Sequence, residues 1–237
     1  MRTIGLLGGM SWESTAEYYR LLNTGVKHAL GGLHSAQLVL HSVDFAPLEA
    51  MQRQGDWPGM GKVLADAACG LESTGADCVL ICTNTMHKVA PVVADAIDIP
   101  LLHIADAAGE ALVAAGVSRV GLLGTRFTME QDFYRGRLAA RFGLDVVVPD
   151  QRDRTEVDRI IYHELCLGRI ESQSQRTYSD IVDRFSDQRV EAVILGCTEV
   201  GLLLSPDDVD LPLFDTTRLH AEMAVRFALA DDSRDAI

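Results

Sequence analysis

The 237-residue sequence reads as an α/β protein built from two pseudo-symmetric halves, each with a parallel sheet. Three observations predict this. Short apolar, β-branched runs alternate with helix-like stretches along the chain, the pattern of βαβ units. The runs are almost continuously apolar and do not alternate with polar residues, as expected of strands buried on both faces. The strand-like segments also repeat in the same order in the two halves.

The predicted strands are 3–8, 36–43, 77–82, 99–104, 119–124, 144–148, 190–196 and 211–214. Helices are expected between them at 14–29, 59–74, 104–115, 128–141, 155–167, 174–187 and 216–229. The repeat pairs Ile4–Gly8 with Val120–Gly124 at an offset of 116. It pairs Asp77–Thr83 with Glu191–Cys197 at an offset of 114, and Ile99–His103 with Leu211–Asp215 at 112. One match between buried strands carries little; three in order, at nearly one offset, indicate a duplicated four-strand unit. The expected division is a first domain of 1–103 plus 215–237, to which the C-terminal helix returns, and a second of 104–214. Ligands of open parallel sheets sit beyond the carboxyl ends of the strands. Two such halves can turn those ends toward each other across a cleft.

Composition removes several function classes. There are 21 Lys and Arg against 34 Asp and Glu, a net charge of −13. That balance argues against nucleic acid or a membrane surface as partner, since both need basic patches. An anionic substrate would have to be held by local N–H and hydroxyl donors against the global field. Five cysteines, an odd number, exclude a complete disulfide framework. The N-terminal segment lacks the apolar core of a signal peptide, and no apolar run approaches membrane-spanning length. A cytoplasmic protein with reduced thiols is the expectation.

Small polar residues gather at the strand ends. The first strand runs into Gly8-Gly9-Met10-Ser11-Trp12-Glu13-Ser14-Thr15, where glycines permit a tight turn and Ser11 or Ser14 can cap a helix. Free N–H groups there would suit a carboxylate. It fits neither a Walker loop nor a dinucleotide fingerprint. Cys82-Thr83-Asn84-Thr85-Met86-His87 follows the third strand, Gly124-Thr125 ends the fifth, and Gly196-Cys197-Thr198-Glu199 ends the seventh. Thr83, Asn84, Thr85, Thr125 and Thr198 thus supply donors suited to a carboxylate and an amino group, although each alone is as well explained as a helix cap.

The register divides the cysteines. The repeat sets Thr83 against Cys197 and Cys82 against Gly196. Neighbours in an extended segment face opposite ways, so Cys82 and Thr83 cannot both face the cleft. Cys69, Cys78, Cys82 and Cys166 read as small buried hydrophobes. Cys197 ends a buried strand beside Thr198 and Glu199, where an adjoining helix N-terminus would lower its pKa. Cys78, Cys82 and His87 have loosely plausible zinc spacing, but no second close pair supports it, and no metal is expected.

GLLGGMSWEST, CTNTMH, GLLGT and ILGCTE together resemble the aspartate/glutamate racemase family of cofactor-independent amino-acid racemases, over essentially the whole chain. They are most similar to its bacterial broad-specificity or L-aspartate/L-glutamate branch. The resemblance implies two α/β domains with the active site between them, a homodimer, no cofactor and an amino-acid substrate. It implies general acid–base transfer at the α-carbon by a cysteine from each half, with hydrogen-bond donors stabilising the enediolate-like charge.

The second cysteine is intact as Cys197, with Thr198 and Glu199 after it. The first motif departs from the family, because aligning Asn84-Thr85 leaves Thr83 where a cysteine belongs. The expectation is a one-sided enzyme, with Cys197 as principal base, Thr83 opposite it and a preference for L substrates. Cys82 is the less favoured alternative to Thr83. Met10, Gln52, Arg53, Thr83, Asn84, Thr85, Thr125, Thr198 and Glu199 are the expected substrate contacts, with Gln52 or Arg53 in a loop that reads the side chain. A single-cysteine arylmalonate-type decarboxylase and a non-catalytic carboxylate binder are the alternatives.

Overall fold

A computed structural model describes residues 1–230. The last residues assigned above to the first domain, 231–237, lie outside the described residues. The chain divides into two compact units. Among the described residues the first comprises Met1–Cys82, Val89–His103 and 220–230; the second comprises Thr83–Lys88 and Ile104–Leu219.

The first unit contains β1 (Ile4–Gly8), α1 (Trp12–Leu30), β2 (Leu38–Ser42), α2 (Phe45–Gln54), α3 (Trp57–Ser73), β3 (Cys78–Ile81), α4 (Ala90–Ala94) and β4 (Leu101–Leu102). Its sheet is parallel, in the order β2-β1-β3-β4. The second unit contains α5 (Ile104–Ala114), β5 (Arg119–Gly124), α6 (Arg126–Glu130), α7 (Asp132–Phe142), β6 (Asp145–Val147), α8 (Gln151–His163), α9 (Ser172–Ser186), β7 (Ala192–Gly196), α10 (Val200–Leu203) and β8 (Leu213–Asp215). Its sheet has the equivalent parallel order, β6-β5-β7-β8. The final helix, α11 (Thr216–Leu229), starts in the second unit and from His220 belongs to the first.

The two sheets share one register. Gly5 pairs with Val79 and Val79 with Leu101; at the repeat offsets, Gly121 pairs with Val193 and Val193 with Leu213. The eight strands are those read from the sequence, because all lie in apolar, β-branched runs. The helices differ more. The segment around Gln52 and Arg53, expected to be a loop, lies in and just after α2, which is followed at once by α3. Asp44 caps α2 by accepting from the Ala46 N–H, and Gly55 ends it in the left-handed region at φ 76°. The helix expected at 128–141 is split at Gln131, whose backbone is extended.

Each unit has its own core. In the first, Ile4, Leu6 and Leu80 of the sheet meet Tyr18 and Leu22 of α1 and Ala221 and Ala224 of α11. A buried polar pair pins this layer. The His220 Nε2–H donates to the Leu102 carbonyl at 2.8 Å, so in the neutral ring Nδ1 accepts from the Tyr18 hydroxyl at 2.7 Å. In the second unit, Val120, Leu122, Val193 and Ile194 pack against Val157 and Ile160 of α8 and Tyr178 and Phe185 of α9. Among the described residues no helix is long and apolar enough to cross a membrane.

Candidate active site

Polar residues of the second unit collect where its strands end. Gly124 closes β5, and Thr125 immediately caps α6 by accepting from the Thr128 N–H at 3.3 Å. Its hydroxyl also meets that of Thr85 at 2.9 Å and that of Thr128 at 3.2 Å. Thr125 is therefore a helix cap whose hydroxyl sits among those of Thr85 and Thr128.

Cys197 follows Gly196 at the end of β7. Its thiol donates to Glu199 Oε2 at 2.9 Å, and the Thr198 hydroxyl donates to the same oxygen at 2.7 Å. Cys197 and Glu199 are both buried. Burial first, and then the Glu199 charge, push the Cys197 thiol well above its ordinary range. The expectation of a lowered pKa is thus corrected. A backbone N–H of Glu199 does favour the thiolate, but α10 is only four residues long and a carboxylate lies against the sulfur. The resting group is a thiol.

The Thr83–Lys88 segment carries the corresponding residues of the first motif. The Cys82 N–H donates to the Leu7 carbonyl at 2.9 Å, so Cys82 continues the ladder of β3 as Gly196 ends that of β7. Thr83 then takes the station of Cys197. The Cys82 side chain is 0% exposed, packed in the core of the first unit with Ile4, Leu6 and Leu80, and burial raises its pKa strongly. Thr83 is half-buried.

Two groups hold this segment. The Ile104 N–H donates to His87 Nε2 at 3.2 Å, so in the neutral ring Nδ1 carries the hydrogen and donates to the Thr83 carbonyl at 2.8 Å. Both ring nitrogens of His87 are thereby engaged with protein groups. Asn84 Nδ2 donates to the Thr216 hydroxyl at 3.0 Å, and that hydroxyl donates to the Leu195 carbonyl at 2.8 Å.

Three expected substrate contacts lie in the first unit. Met10 is buried in the turn between β1 and α1. Within that turn the Gly9 N–H donates to the Thr15 hydroxyl at 2.8 Å and Ser11, not Ser14, caps α1. The Gly9 and Ser14 N–H groups are therefore used internally and do not await a ligand. Gly9, at φ 93°, lies so close to Val43 that a Cβ would sit 2.1 Å from its carbonyl oxygen. Gln52 is buried on α2, whereas the next side chain, Arg53, is 76% exposed and ion-paired with Glu49 one turn earlier.

Sequence reasoning passed over Thr216, Thr217 and the anchoring part of His87. Thr217 has a buried hydroxyl with no partner among the described residues. The available signal was position: Asp215-Thr216-Thr217 ends β8 as the other polar clusters end β3, β5 and β7.

A family model for the Asp/Glu/Hydantoin racemases matches residues 7–224. A solved structure described as a candidate Asp/Glu racemase from Yersinia pestis is 50% identical, with 97% of this chain and all of that chain covered and a TM-score of 0.92. An aspartate racemase homologue from Pyrococcus horikoshii OT3 is 33% identical over 97% of this chain and all of its own, with a TM-score of 0.83. Among curated proteins, the broad specificity amino-acid racemase RacX of Bacillus subtilis (strain 168) is 24% identical over 235 residues, 97% of this chain and the whole of RacX.

Proposed function

The chain belongs to the Asp/Glu/hydantoin racemase family, and with it to the isomerases; from that premise we propose that it racemises amino acids, acidic ones foremost, without a cofactor. The α-proton passes between Cys197 on one face and Thr83 on the other. The observation that carries this reading is the buried Cys197 thiol hydrogen-bonded to Glu199 at 2.9 Å, with Thr83 at the equivalent station of the repeat.

The thiol needs to lose its proton before it can act. Glu199 already accepts its hydrogen bond and is the group to take that proton. The cationic α-ammonium of an arriving substrate offsets the charge that then forms on sulfur. The desolvated thiolate removes the α-proton of the L enantiomer. The carbon acid becomes an enediolate, whose new charge falls on carboxylate oxygens near the Thr85 and Thr125 hydroxyls, while the Thr198 hydroxyl stays on Glu199; one such donor is worth about 10²–10³ in rate. The Thr83 hydroxyl returns a proton on the opposite face and recovers its own from water, while Glu199 releases the thiol proton to water and the resting Cys197–Glu199 pair is restored.

A neutral hydroxyl is a far weaker acid than a thiol and a far weaker base than a thiolate, so the D-facing half of the cycle is slow and L substrates are favoured. Gln52, the buried member of its pair, is the reader of the substrate side chain in preference to the exposed Arg53. The same reading takes the protein as a cytoplasmic homodimer, which light scattering checks.

The test is incubation with a panel of L-amino acids without added pyridoxal phosphate, followed by chiral analysis. Conversion of L-aspartate or L-glutamate to the D form, abolished by Cys197→Ser, is the expected result. Release of CO₂ from an arylmalonate with no loss of amino-acid chirality would replace racemisation by decarboxylation. Binding of amino acids without turnover would make the protein a carboxylate binder.

A further inference from the structure

The Thr216 hydroxyl is completely buried and has one hydrogen to give. It gives that hydrogen to the Leu195 carbonyl, which can only accept. Toward Asn84 it is therefore an acceptor, and the group facing it at 3.0 Å must be the amide nitrogen. The two ends of an asparagine amide are told apart by their partners, and here the partners leave one assignment. Asn84 Oδ1 then points away from Thr216. It is buried and has no partner among the described residues. A buried acceptor without a donor is costly, and this one belongs to the motif that also contains Thr83 and Thr85.

We infer that Thr216 is a positioning residue that locks the Asn84 amide with its oxygen toward the substrate, so that the site selects ligands bearing an N–H donor on the α-carbon. The inference rests on the amino-acid reading above and adds the source of its selectivity. Flipping the amide would bring two N–H groups to the ligand in place of an acceptor. An α-ammonium, which only donates, would then face donors. A deaminated dicarboxylate has no hydrogen to offer Oδ1 in either arrangement, so its binding is indifferent to the lock. Thr216 touches no substrate in this scheme and acts through Asn84.

The test is calorimetric titration of the full-length protein with L-aspartate and with succinate, its counterpart lacking the ammonium group. Thr216→Val keeps the side-chain volume and removes the hydroxyl. It is expected to weaken L-aspartate about tenfold, equivalent to about 1.4 kcal/mol, and to leave succinate within about twofold. Thr216→Ser, which restores the hydroxyl, is expected to restore the preference. Equal weakening of both ligands would overturn the assignment and leave Thr216 a packing residue, as would unchanged aspartate affinity in the valine variant. Chiral analysis of the wild-type protein separates the two levels. Racemisation with no differential effect of Thr216→Val overturns this inference alone, and absence of any racemisation overturns the functional reading beneath it.

Discussion

The Cys197 thiol donates to the Glu199 carboxylate at 2.9 Å, inside a buried cluster at the end of β7. In the mechanism proposed above, this pair stores the proton that catalysis must move. Burial and the neighbouring negative charge hold the thiol protonated, and the carboxylate that raises its pKa is also the acceptor for its proton. Glu199 thus has two opposed effects on Cys197, and substitution separates them.

Glu199→Gln removes the charge and keeps the shape. The thiol pKa is expected to fall, because loss of an adjacent like charge favours ionisation. Racemisation should nevertheless fall, since a glutamine amide cannot take the thiol proton. Iodoacetamide alkylation against pH measures the first effect, in a Cys69→Ser background because Cys69 is exposed. An unmoved alkylation profile would show that burial alone sets the thiol.

Thr83 and Cys82 are adjacent and are expected to respond in opposite ways. Thr83→Ala should abolish racemisation with little loss of stability. Cys82→Ala should leave racemisation within about threefold and destabilise the fold by roughly 1–2 kcal/mol, the cost of trimming a core side chain. Parallel chiral assays and urea titrations decide, and the reverse pattern would hand the second face to Cys82.

His87 bridges the Thr83 carbonyl and the Ile104 N–H. His87→Phe retains a ring of similar size and leaves both backbone groups without this partner. The expected loss is about 2–6 kcal/mol, from two backbone groups at about 1–3 each, read from denaturant midpoints. A loss below about 1 kcal/mol would mean that water or local rearrangement satisfies them.

Alkaline pH should weaken the fold. The Cys78 thiol is pushed up to about 12 by burial, and those of Cys82 and Cys197 are also raised. A raised folded pKa gives stability that is complete below the ordinary thiol value of 9.0 and is lost as pH climbs through the folded value. Each thiol adds a slope of at most about 1.4 kcal/mol per pH unit in that window. Urea midpoints should hold steady up to about pH 8.5 and fall above it, and Cys78→Ala should flatten the fall.

Much of this was legible in the sequence, for physical reasons. Strands buried on both faces must be apolar, so all eight stand out as runs, and the duplicated order of Ile4–Gly8, Asp77–Thr83 and Ile99–His103 fixes the register that sets Thr83 against Cys197. The helix at Phe45–Gln54 was hidden because Pro47, Gln52 and Gln54 dilute its apolar face, and its start depends on the Asp44 cap. The Cys197 pKa was misread because a helix N-terminus is visible in sequence, whereas the 2.9 Å approach of Glu199 and the desolvation are not. Thr216 is 132 residues from Asn84, and no local pattern announces a hydrogen bond over that separation.

Deuterium incorporation at the α-carbon, followed separately for L- and D-aspartate in heavy water, tests the one-sided mechanism most directly. A Cys197 thiol can exchange its proton with solvent and return deuterium to the face it came from. L-Aspartate is therefore expected to gain deuterium while still L, faster than it racemises. D-Aspartate should gain deuterium only as it converts to L. Equal exchange without inversion in both enantiomers would contradict the account, because it would require two comparably effective bases.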